Sequence, residues 1–145
     1  MSTLQYYKLI RNTVQLSHAT LVSMNCANMT HFTTGENEVS IPIVLQREVN
    51  VISEDKAEIF LKTIVGSEEG PFIFDILHKG ICVSSVNIDR DEFNKYAYDQ
   101  VVPLLLPYAR ECIASTMAKM GLPIYTLPTM DVLNSLEVNM SPEDN

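Results

Sequence analysis

At 145 residues, the chain has room for one domain with a real core and little more. Hydrophobic residues make up 46% of it, with Gly and Pro unremarkable, which excludes an intrinsically disordered protein. A formal charge of −8 with no cluster of Lys and Arg excludes duplex nucleic acid and anionic membrane as main partners, both being bound through positive charge, and favours a basic protein partner.

The opening residues, 1–12, hold no apolar run of signal-peptide length, and no window reaches a transmembrane span, so a cytoplasmic protein without membrane insertion is expected. Cys26, Cys82 and Cys112 are three and far apart, a pattern that suits reduced thiols better than a disulfide framework or a zinc site. Val14, Leu16, Val22 and Met24 keep a two-residue period that predicts a first strand over 13–24. Residues 25–37 then read as a loop carrying the isolated apolar side chains Met29 and Phe32. From Val39 to Val51 the odd positions are apolar except Arg47, the pattern of a half-buried strand. A polar turn at 53–56 leads to alternating Ala57, Ile59, Leu61 and Val65, with Lys56, Glu58 and Lys62 on the other face, so the two strands form a hairpin.

A further turn at 66–71 precedes a strand over 72–83, whose Phe72, Phe74 and Ile76 face one way and Ile73, Asp75 and Leu77 the other. Two large aliphatic side chains flanking a carboxylate on a solvent face suggest a partner-binding patch, although single exposed aliphatics also occur without function. Asp89 with Glu92 three residues later is a capping-box arrangement that starts a helix. Pro103 and Pro107 interrupt it and predict a break between Val101 and Leu106. Beyond, Tyr108, Cys112, Ile113, Thr116, Met117 and Met120 recur at helical spacing as the face turned to the sheet. Ala109, Ala114 and Ala118 make a second stripe of small residues where a partner helix can approach closely, which predicts self-association. Gly121 closes the helix, 122–129 runs extended, and 130–138 forms a short helix with Met130, Leu133 and Leu136 on its apolar side. The whole predicts an α+β domain over 1–138, a four-stranded antiparallel sheet covered on one face by a long kinked helix and a short C-terminal helix, and an acidic tail over 139–145.

The run Pro107-Tyr108-Ala109-Arg110-Glu111-Cys112-Ile113, the helix closed at Gly121, then Leu122-Pro123 and Leu127-Pro128, resembles the signature of the SecB protein-export chaperones. The resemblance is carried by Pro71 to about Leu136. It implies dimers pairing into tetramers, with helices between outer sheets. It also implies a hydrophobic groove that holds extended, unfolded clients without nucleotide, built from the segment after the long helix, the short helix beyond it and the loop after the first strand. Transferred to this chain, the groove comprises Met24, Met29, Phe32, Ile124, Tyr125, Leu127, Met130, Leu133 and Leu136. Methionine and tyrosine suit a surface that accepts unrelated apolar sequences, while the same methionines also serve as ordinary core fillers. Delivery to the export motor SecA would use the outer sheet at Ile73, Asp75 and Leu77. The family's acidic residues on the first strand have no counterpart at Gln15, Ser17 and Ala19. That departure keeps open a chaperone dedicated to one client, such as an antitoxin, and, from another class, a purely structural homo-oligomer.

Catalysis is not expected. His78 and Cys82 share a strand face, but the sequence carries no nucleophile elbow, phosphate loop, HExxH or cysteine pair at metal spacing, so no cofactor or metal is implied. Asp89, Asp91 and Glu92 at a helix start serve the helix.

Overall fold

The computed structural model describes residues 14–30 and 41–123. Four strands, β1 (Val14–Asn28), β2 (Ile43–Val51), β3 (Lys56–Gly66) and β4 (Phe72–Ser84), form one antiparallel sheet in the order β1-β4-β3-β2. A helical path follows: α1 (Arg90–Tyr96), a π turn (Ala97–Val101), a 3-10 turn (Val102–Leu105) and α2 (Leu106–Met120). The fold is the α+β arrangement expected. The short C-terminal helix, the extended segment from 124 and the tail lie outside the described residues.

β1 continues to Asn28, past the loop start expected at Asn25. It is an edge strand, and from Gln15 onward none of its residues is fully buried, so neither face imposes the alternation that marks a strand in sequence. β3 and β4 are the two inner strands of the sheet and alternate between buried and half-buried side chains, β3 from Ala57 to Val65 and β4 throughout. Residue contacts divide the chain into two compact units, each taking a portion of every strand.

The first unit has described residues 14–20, 47–61 and 78–106. Its core holds Ala57, Ile59, Leu61, Cys82, Phe93, Ala97, Val101 and Leu105, all at 1% exposure or less. Asp89 caps α1 by accepting the Glu92 amide at 3.4 Å. The break expected between Val101 and Leu106 is real and begins earlier. The Val102 amide bonds back five residues to the Ala97 carbonyl, and the Leu106 amide bonds back only three, to Pro103. Having lost the Val102 amide to Ala97, the Tyr98 carbonyl would look in π register to residue 103, which is a proline with no N–H. Arg47 supplies the missing donor: its Nη1 reaches that carbonyl at 3.2 Å, and its guanidinium lies 3.9 Å above the Tyr98 ring. The one charged interruption of the β2 apolar stripe is therefore a tertiary contact, with Asp99 at 3.9 Å completing it.

The second unit has described residues 21–30, 41–46, 62–77 and 107–123. Leu45, Val65, Phe72, Phe74, Ile76, Ala109, Ile113 and Met117 are buried in it. Gly66 turns β3 toward β4 at φ +88°, where a Cβ would sit 2.1 Å from the Phe72 carbonyl oxygen, so the turn accepts no other residue without rebuilding. The end of α2 is a Schellman cap, with the Gly121 amide donating to Ala118 and the Leu122 amide to Met117.

Ile113 and Met117 are buried as expected, but Ala109 joins them and shifts the centre of the buried face away from the rest of the expected set. Tyr108 is 47% exposed, and Cys112, Thr116 and Met120 are only partly covered. Ala109 is fully buried in its own chain and is withdrawn from the self-association stripe. A small side chain had read as an outward contact, whereas here it lets the helix sit close on its own unit. Ala114, half-buried, and Ala118, exposed, remain one turn apart and accessible.

Candidate client-binding surface

Of the residues the groove was expected to use, Met24 and Met29 fall among the described residues. In the second unit, β1 from Leu21 onward runs beside the end of α2. The Thr116 hydroxyl lies 3.9 Å from the Met24 sulfur, and the Asn28 side-chain amide donates to the Met120 carbonyl at 3.4 Å. Leu21, Val22 and Met24 are 43%, 51% and 38% exposed, a run of large apolar side chains left open to solvent on an edge strand.

The chain leaves this strand through a fixed exit. The Asn28 carboxamide oxygen accepts both the amide and the hydroxyl of Thr30, at 3.0 and 2.6 Å, and the Met29 amide donates to the Pro71 carbonyl at 2.7 Å. Met24 and Met29 are thus brought to one end of the second unit, beside the C-terminus of α2. Phe32, Ile124, Tyr125, Leu127, Met130, Leu133 and Leu136 lie outside the described residues. Leu21 falls outside the two-residue period that Val22 and Met24 keep, and neither Leu21 nor Val22 is among the groove positions the resemblance implies.

Ile73, Asp75 and Leu77 lie half-buried on the sheet face opposite Phe72, Phe74 and Ile76, as their alternation requires. Asp75 faces Lys62 at 3.8 Å. In the first unit Lys79 pairs with Glu58 on the same kind of face. Hydrogen bonding to Lys79 first, and its charge second, holds the Glu58 carboxyl below the usual range. Both carboxylates are matched by lysines rather than standing as free acid.

His78 and Cys82 are buried in the first unit. Burial pushes the Cys82 thiol up to about 12, so it stays protonated and unreactive at neutral pH, and burial lowers the His78 imidazole pKa. Among the described residues no group of three or more His, Cys, Asp or Glu is placed to hold a metal, and no helix is long and apolar enough to cross a membrane.

A four-stranded antiparallel sheet followed by a broken helical path, with an open apolar run on the edge strand, defines the class of fold to which the chain can be compared. The model of the family described as preprotein translocase subunit SecB matches residues 11–136, and the chain belongs to the SecB family. Membership gives it a chaperone role. Among solved structures, the chain is similar to a Mycobacterium tuberculosis SecB-like chaperone in complex with a ChAD peptide from the HigA1 antitoxin. The identity is 13%, the TM-score 0.64, and the match covers 86% of this chain and 95% of that one. It is also similar to a protein of unknown function from Streptococcus agalactiae, with 11% identity, a TM-score of 0.56, and 79% and 96% of the two chains covered. At such identities the likeness is one of fold. No curated protein matches the chain in sequence.

Proposed function

We propose that the protein holds nonnative polypeptides in extended form by burying their apolar side chains, without nucleotide, cofactor or covalent chemistry. The observation that carries this reading is the pair of exposed apolar side chains Val22 and Met24 two residues apart on β1, with Met24 beside α2, in a chain of the SecB family. Met29 and, outside the described residues, Phe32, Ile124, Tyr125, Leu127, Met130, Leu133 and Leu136 are assigned to the same groove on the family resemblance alone. The working particle is a homo-oligomer, dimer or tetramer, joined through helices at Ala114 and Ala118, and it acts in the cytoplasm. Tyr125→Asp and Leu133→Asp are expected to weaken retention of a denatured client while leaving the mass in solution unchanged. Client retention at the wild-type level by both variants refutes the groove.

Two destinations follow for the client. Export would hand it to SecA across Ile73, Asp75 and Leu77. A chaperone dedicated to one client is favoured by the pairing of Asp75 with Lys62 and of Glu58 with Lys79, which offsets the acid at those two positions of the sheet face. The SecB-like structural relative solved with an antitoxin peptide supports the same choice. Recovery of one small aggregation-prone protein with the chaperone, and no retention of purified SecA, is the expected result. SecA binding abolished by Asp75→Lys would reverse the assignment.

A further inference from the structure

A second apolar recess lies in the first unit. The β2–β3 turn and the connection from β4 to α1 meet there, joined by the Ser84 amide donating to the Asp55 carbonyl at 2.8 Å and by Arg90 donating to the Val51 carbonyl at 3.3 Å. Between them is a cavity of about 260 Å³, lined by Val51, Ser53, Glu54, Ile88, Arg90 and Phe93. Its floor is the Phe93 ring, 1% exposed, and its polar wall is Ser53, Glu54 and Arg90.

Two neighbours extend the apolar surface past the cavity mouth. Ile52 is 50% exposed and Val86 is 42% exposed, although each sits in a turn where polar side chains are usual. On the two joined segments the exposed carboxylates Glu54, Asp55, Asp89, Asp91 and Glu92 outnumber the cations Lys56 and Arg90. Glu54 has no ion-pair partner among the described residues. A small molecule filling the cavity would leave Ile52 and Val86 uncovered, whereas a chain segment inserting one side chain would cover both. Phosphate-bearing ligands are opposed by the carboxylate rim.

We infer that this recess docks a segment of a partner protein, with one leucine-sized or phenylalanine-sized side chain in the cavity and lysine or arginine beside it at Glu54. The site stands apart from client holding: none of its residues belongs to the groove, and its charge selects a basic sequence.

The test uses the full chain with isoleucine methyl groups labelled for NMR, titrated with a short synthetic peptide bearing one leucine between lysines, and with a matched peptide bearing glutamates instead. The basic peptide is expected to shift the Ile52 and Ile88 methyl signals and the acidic peptide to leave them in place. Glu54→Lys is expected to weaken binding about fivefold, and Val86→Asp to weaken it as well. Tyr125→Asp, which disables the groove, leaves this binding unchanged. The inference is overturned if the two methyl signals do not respond, if Glu54→Lys binds the basic peptide as wild type does, or if the signals shift on concentrating the protein alone, which would make a second copy the occupant.

Discussion

Replacing Arg47 by Met tests whether the broken helix is held from outside. The side chain of Arg47 is only 7% exposed, so its contacts are not diluted by water. Methionine keeps most of the apolar stem and removes three interactions. A charged hydrogen bond to a carbonyl contributes about 1.5–3 kcal/mol, and a partly desolvated cation–π contact about 0.5–2 kcal/mol. The Asp99 pair, long and with Asp99 36% exposed, adds no more than about 1 kcal/mol. Because one group makes all three, they overlap, and a loss of about 2–4 kcal/mol is expected. At this chain length that lowers Tm by about 5–15 °C. Calorimetry at one fixed protein concentration reads it, since assembly itself shifts Tm. Arg47→Lys keeps the charge but loses the planar stack and is expected to fall between wild type and Arg47→Met. Asp99→Asn should cost little. The reasoning is refuted if Arg47→Met melts within about 2 °C of wild type, or if Asp99→Asn is as damaging as Arg47→Met, which would make the ion pair the main contact.

Three further outcomes are expected. Gly66→Ala collides with the Phe72 carbonyl and should fail to accumulate as folded protein, whereas Gly121→Ala meets nothing within 4 Å and should cost only about 1 kcal/mol of left-handed strain, read by urea unfolding. His78 is neutral in the fold and takes a proton more readily when unfolded. Stability should therefore be full above pH ~6.5 and fall as pH drops below it, a slope that His78→Gln removes; the Glu58 contribution fades only at the lower pH of carboxylate titration. Under native conditions an alkylating reagent should modify Cys26, which is exposed, and spare Cys82 until the chain is unfolded, as mass spectrometry of the labelled peptides will show.

The inner strands were legible because burial on one face forces strict alternation: Ala57 to Val65 and Phe72 to Cys82 read the same in sequence and structure. The Asp89 cap and the proline break were legible because both are local chemistry. Arg47 was not, since its partner lies 51 residues away and no period connects β2 to Tyr98. The helix phase failed at Ala109, where size alone was taken to indicate a contact with another chain. Met24 lies on β1 as its place in the strand pattern predicts. The exposure of Leu21, out of phase with Val22 and Met24, was not legible because the end of an edge strand obeys no burial rule.

The position of β1 at the sheet margin gives this protein an internal reporter. A strand paired on one side only has amides that alternate between bonded to β4 and open to water, so hydrogen exchange along Val14–Asn28 should alternate between slow and fast residues. Any strand laid against that margin, from a client or from a second copy, converts the fast amides to slow ones and leaves the others unchanged. The alternation thus records, residue by residue, how far along the margin a neighbour extends, without a label or a change in the protein.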